Sequence, residues 1–324
     1  MSTRRALLPE VQYGNNDCCR ILAGSFGRAG QIYPGLTKAP LPLAVDDEYL
    51  STTEEGRQPD GIPSRLELLH ITAKTLEVVD EMRNALRAPS LKIKHWDEDV
   101  TVPDPTAVLR VNSQIDDLFQ GLPPHLRLNA DYSKMPLNDD DVKFFRMQTH
   151  AIRFRLLTVR VFLLRPSLLA EGGRWTTGGS GLSQTASSAL QERLHLEICG
   201  LCLKTINDVL EEIQRGLTQN GGISAWFALH CKLNLLLSSL ITLSTDLVDA
   251  IVTVAAGAVL PIVDLSPILS DAREAGSAEA SWERAMDILE FYKPHISSVE
   301  RGIEILKGYR ESIRRRAAAR LSSS

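Results

Sequence analysis

Cys199 and Cys202 stand three residues apart in the stretch "LHLEICGLCLKTINDVL". At that spacing two thiolates can share a zinc ion or form a redox pair. His195, four residues before Cys199, shares a face with it if the stretch is helical. A zinc centre needs further ligands, and no second pair follows, because Cys18 and Cys19 are adjacent and Cys231 stands alone. The flanking residues are apolar at helical spacing, so the pattern predicts buried structural cysteines on a helix.

Asp46, Asp47 and Glu48 in "PLPLAVDDEYLS" are the second cluster of chemically capable groups. Adjacent side chains of an extended segment point to opposite faces and rarely converge on one ion, so a linker is expected here and not a metal site. The seven histidines, His70, His95, His125, His150, His195, His230 and His295, fall in no HExxH or Cys-His-Asn spacing. Ser180 lies among glycines but lacks the strand, second glycine and helix of a nucleophile elbow. Arg153, Arg155, Arg160 and Arg165 recur along one predicted helix, and "RRRAAAR" closes the last one. Solvated faces and a compensated helix dipole account for both, with nuclear import or nucleic-acid contact the weaker alternative for the terminal run. No catalytic, cofactor-binding, metal or DNA-binding residue is predicted, and no enzyme is expected.

The chain has 324 residues and is 44% hydrophobic, with 36 basic and 40 acidic residues for a formal charge of -4. That is enough for a large buried core, and the charge balance offers no global attraction to polyphosphate. Five cysteines in no regular framework fit a reducing compartment. The start, "MSTRRALLPEVQYGNN", has too short an apolar run for a signal-peptide core. "WFALHCKLNLLLSSLITL" and "AIVTVAAGAVLPIV" are expected to be core helices and not membrane spans, the first because it carries His230 and Lys232, the second because it is short.

The elements that would position these groups are predominantly helical. Residues 1–57 are rich in Gly, Pro and small polar residues and read as irregular. Ser64 and Glu67 make a capping pair for a helix ending at Pro89, with Leu66, Leu69, Ala73, Leu76, Val79, Met82 and Leu86 on its apolar face. A second helix is predicted from Pro105 to Gln120, with Val108, Val111, Ile115, Leu118 and Phe119 on one face. A third runs from Asp139 to Pro166 along Phe145, Thr149, Ile152, Leu156, Val159 and Leu163, and is expected to lie centrally. "AEGGRWTTGGSGLSQTASS" reads as a surface loop near residues 171–188. Further helices are predicted over Ala189–Ile213 and Ala225–Val248, then a short one after Pro261 and two parted by Lys293-Pro294. No strand pattern is evident, so the expected fold is all-α, an irregular multi-helix bundle over residues 58–312 with a basic and serine-rich tail at 313–324.

Several segments together resemble the fungal-specific transcription factor domain, the regulatory middle homology region of zinc binuclear cluster transcription factors. "SFGRAGQIYPGLTKAPLPLAVDDEYLS" and "QPDGIPS" resemble the stretch after the family's GRP turn, with Gly27-Arg28 kept and Ala29 where proline is usual. "LFQGLPPHLRL" and "HAIRFRLLTVRVFLLRPSLL" are similar to the segment before the central helix and to that helix with its Arg165-Pro166 end. "CGLCLKTINDVLEEI", "WFALHCKLNLLLSSLITL" and "SWERAMDILEFYKPHISSVERGIEILKGY" resemble the later helices in the family's order, so the likeness covers about Ser25 to Tyr309.

The resemblance implies a nuclear transcription regulator of a metabolic or biosynthetic pathway. Full-length relatives carry a six-cysteine module holding two zinc ions, which these five cysteines cannot supply. The expectation is therefore a regulatory domain with no cofactor in this chain, zinc belonging only to an upstream cluster if one exists. It would act with a related transcription factor chain or the transcription machinery, with a small-molecule effector as a further candidate partner. Specific DNA binding by this chain and membrane association are not expected. Two alternatives stand beside it: a stand-alone interaction protein that pairs with or sequesters a full-length relative, and a small-molecule-binding helical protein without catalysis.

Overall fold

The computed structural model describes residues 43–50, 56–87, 91–95, 98–176, 186–219, 272–294 and 297–321. The predicted helix over Ala225–Val248, the stretch "AIVTVAAGAVLPIV" and the short helix after Pro261 lie outside them. Six α-helices dominate the described residues, and the fold is all-α as the sequence predicts. They are α1 (Glu67–Arg87), α2 (Pro105–Gln120), α3 (Asp139–Thr176), α4 (Ala186–Gln219), α5 (Ala272–Tyr292) and α6 (Ser297–Leu321). Among the described residues, no helix is long and apolar enough to cross a membrane.

Local chemistry sets the helix starts. Asp104 accepts from the Thr106 amide at 3.1 Å with Pro105 at the first helical position of α2, where its missing N–H costs nothing. Asn138 accepts from the Asp141 amide at 2.8 Å to cap α3, whose first turn carries Asp139, Asp140 and Asp141.

The contacts divide the chain into two units. The first holds the described residues up to Asn84 and Arg110–Leu156. Its α2 contributes Val111 and Ile115, both fully buried, and its part of α3 contributes Phe145, Ile152 and Leu156. The buried side of α1 matches the expected stripe only in part. Ala73, Leu76 and Met82 are buried as expected, but Leu68, Ile71, Thr75 and Val78 join them, while Leu66, Leu69, Val79 and Leu86 are half-buried. Threonines explain the offset, since Thr72 and Thr75 donate to the carbonyls of Leu68 and Ile71 at 2.7 and 2.8 Å and so enter the core without an unmet hydroxyl. Polar ties join α1 to α3: the Gln148 amide donates to the Arg65 carbonyl at 2.9 Å, and the Arg155 guanidinium to Thr72 Oγ1. Both partners advance by seven residues between these ties, so the two helices run in the same direction.

The second unit holds Ala85–Leu109, Leu157–Gln219 and the described residues beyond 271. Here α5 packs on α4 and α6 on α5. Ile198, Cys199, Cys202, Ile206, Val209, Leu210 and Ile213 form the buried stripe of α4, and Trp282, Ala285, Ile288 and Leu289 that of α5. Arg310 lies 4.6 Å over the Trp282 ring, and Lys293 of the connection pairs with Glu300 at 3.2 Å. This unit also contains an antiparallel hairpin, β1 (Leu91–His95) and β2 (Glu98–Val102), in a register that sets Ile93 opposite Val100 and Lys94 opposite Asp99. The hairpin is unexpected from the sequence, because no Asn-Gly or Asp-Gly pair marks its turn.

Two helix ends also differ from expectation. Helix α3 passes through Pro166 to Thr176, and α4 starts at Ala186, so the Gly- and Ser-rich stretch is helical at both ends. Proline leaves the Phe162 carbonyl without its helical donor, but Phe162 is exposed to water while Leu163, Leu164 and Ser167 are buried around the site. Packing on both sides of the proline therefore outweighs the one lost bond. Replacement Pro166→Ala is expected to stabilise the fold by about 1–3 kcal/mol in urea unfolding. A loss of stability would show that the proline ring contributes more to the local packing than the restored hydrogen bond.

Candidate functional site

The three acids of "PLPLAVDDEYLS" part company in the structure. Asp47 and Glu48 sit exposed in a single 3₁₀ turn, Asp47–Tyr49, while Asp46 turns toward the start of α1. Asp46 Oδ1 accepts from Ser64 Oγ at 2.9 Å and from the Arg65 amide at 2.8 Å. Its Oδ2 accepts from Gln58 Nε2 at 3.3 Å, and its amide donates to Gln58 Oε1 at 2.9 Å. A carboxylate from 19 residues upstream thus meets an unpaired amide at the helix entrance, where negative charge is favoured. Ser64, predicted to cap Glu67 with its side chain, accepts instead from the Leu66 amide at 3.1 Å while serving Asp46. Arg65 completes the corner, pairing with Asp141 at 2.5 Å and lying 5.9 Å from the Phe144 ring centre.

Between this corner and residues 124–135 lies an open groove of about 850 Å³. The chain enters it through a tight turn, with the Ile62 amide donating to the Pro59 carbonyl at 3.2 Å. Gly61 has φ +83°, which this type II turn requires at its third position and which a side chain would disfavour. The opposite wall is a pair of 3₁₀ turns braced by Tyr132, whose hydroxyl donates to the His125 carbonyl at 2.8 Å. Arg127 donates to the Leu122 carbonyl at 2.9 Å, and Asp131 accepts from Ser133 Oγ at 2.6 Å.

His125 is the titratable group that sequence reasoning passed over. It is 7% exposed, packs edge-on against Phe145 at 5.1 Å, and its Nε2 makes no hydrogen bond. Burial pushes it from 6.5 down to about 4, so the ring is neutral at physiological pH. The stabilisation from burying a neutral ring is present above pH 6.5 and is lost as the pH falls toward 4. Glu67, also lining the groove, has its carboxyl raised, chiefly by burial, with His70 and Lys74 opposing. The sequence signal for such a site was weak, because His125 sits in "LPPHL" with no partner at a recognisable spacing.

The sulfur pair is packed as expected. Cys199 and Cys202 are both fully buried free thiols on α4, and His195 is buried on the same helix. Burial pushes the Cys202 thiol up to about 12, outweighing the nearby charge of Arg165. Arg153, Arg155, Arg160 and Arg165 are half-buried on α3, a correction to the solvated face expected of them. On α6, Arg315 pairs with Glu311 at 3.0 Å. Cys18, Cys19, Cys231, Ser180, His230 and His295 lie outside the described residues. Among the described residues no three histidine, cysteine or carboxylate groups gather as metal ligands.

These features define an all-α protein with an open groove beside α1. A scan against protein-family models, a search of curated proteins and a search of solved structures each return no match for the chain.

Two measurements test the roles assigned here. Asp46→Ala is expected to cost about 1–3 kcal/mol in denaturant unfolding, because the Arg65 amide and Gln58 lose an ionised acceptor. Asp47→Ala and Glu48→Ala should each stay within about 0.5 kcal/mol, and equal losses from all three would contradict the single-carboxylate cap. Iodoacetamide labelling of the native chain at neutral pH, mapped by mass spectrometry, should leave Cys199 and Cys202 unmodified until denaturant is added. Fast native labelling of either would refute their burial.

Proposed function

We propose that the chain is a transcription regulator of the fungal zinc-cluster type, present here as its regulatory domain without the DNA-binding cluster. It acts in the nucleus on a metabolic or biosynthetic pathway, through a related transcription factor chain or the transcription machinery. The observation that carries this reading is the ordered resemblance of segments from Ser25 to Tyr309 to the family's regulatory region. An all-α architecture agrees with it. The groups that suggested other chemistry have structural employment: Asp46 caps α1, and the Cys202 thiol is held protonated in the α4 core.

On this reading the chain works by association and not by catalysis, and needs no cofactor of its own. Sequence-specific readers reach dissociation constants of about 10⁻⁸ to 10⁻¹¹ M at physiological salt. A gel-shift with the purified chain over randomised duplexes should show no sequence-selective complex, whereas the chain should co-purify with a complete zinc-cluster regulator from the same source. Tight sequence-selective binding by the chain alone would sink the proposal, as would failure to associate with any such regulator.

A further inference from the structure

We propose that the groove beside the start of α1 binds a small organic cation, an ammonium or amidinium group on an apolar body, with Glu67 as its counter-ion. This goes beyond the regulator reading and stands or falls independently of it.

Several polar groups of the groove are already engaged. Asp131 accepts from Ser133 and pairs with Lys134 at 3.0 Å. Arg127 is turned onto the carbonyls of Leu122 and Gln120, at 2.9 and 3.5 Å. Gln58 and Ser64 are held by Asp46. Among the described residues, Arg127 and Lys134, the cations of the lining, are therefore occupied.

The Glu67 side chain is half-buried in the lining. Among the described residues its carboxylate makes no hydrogen bond or ion pair, and His70 and Lys74 act on it without offsetting its lost hydration. A carboxylate taken partly out of water with no paired donor is an unmet demand that a cation satisfies. His125, more than nine-tenths buried in the same lining, has an Nε2 with no partner. Because burial keeps that ring neutral, it adds polarity without a positive charge that would repel the ligand.

The walls supply the rest of the specificity. Ile62, Pro63, Pro124, Leu128, Ala130 and Met135 present mostly apolar surface, and the recess of about 850 Å³ is within the range that small-molecule sites occupy. An aryl- or alkylammonium can set its apolar body on these side chains while its charge meets Glu67. A fully hydrated inorganic cation would leave the walls uncovered.

The test titrates the whole chain with tyramine by calorimetry, with 4-ethylphenol as the analogue lacking the ammonium, and benzylamine and benzamidine as further cations. Tyramine should saturate with a dissociation constant of about 1 mM or tighter. The ethylphenol should bind at least about tenfold more weakly, a difference of about 1.4 kcal/mol. Glu67→Gln should weaken tyramine by a similar factor. Met135→Lys, which places a rival ammonium at the wall, should do the same even if the Glu67 variant fails to fold. Unchanged affinity in a folded Glu67→Gln or Met135→Lys chain, equal binding of the ethylphenol, or no saturable binding of any of the three cations overturns the proposal.

Discussion

The corner at the start of α1 hangs on one carboxylate. Helix entrances leave amide groups without partners, and here the Arg65 amide finds its acceptor in Asp46, far upstream in sequence. The same side chain fixes Ser64 and Gln58, and Gln58 in turn donates to the Ile62 carbonyl at 3.2 Å. The described residues just before α1 are thereby held as a wall, with Val45 and Ser64 buried. Without that anchor the groove would lose one side, because its entrance turn at Gly61 lies between Gln58 and Ser64.

Elsewhere the structure follows a common rule, that polar groups enter the core where a local partner is available. Thr72, Thr75 and Thr149 each donate to a carbonyl four residues back, which lets them count as core-facing residues. Arg155 and Gln148 reach from α3 onto α1. These ties set the direction of one helix on the other, which burial alone leaves undetermined because it is non-directional. In the second unit Cys199 and Cys202 act as small hydrophobic groups in the α4 stripe.

The groove is where polar groups gather against apolar walls. The groove beside α1 offers a half-desolvated carboxylate and a neutral buried imidazole among apolar walls. The proposed cation site uses residues whose roles arise from burial and not from a motif.

The sequence by itself determined the class of fold and most helices. Periodic apolar residues placed α2 at Pro105–Gln120, and the predicted α3 stripe from Phe145 to Leu163 is buried throughout. It also assigned the cysteine pair to helix packing, because their neighbours repeat at helical spacing. Three matters were settled only in three dimensions. Continuation of α3 through Pro166 depends on packing around it, which local propensity does not contain. Burial of Thr72 and Thr75 depends on hydroxyls finding backbone acceptors, which a hydropathy pattern ignores. The division of labour among Asp46, Asp47 and Glu48 depends on a partner 19 residues away. Three adjacent acids look alike in sequence, and only the folded chain decides which one meets the unpaired amide of a helix.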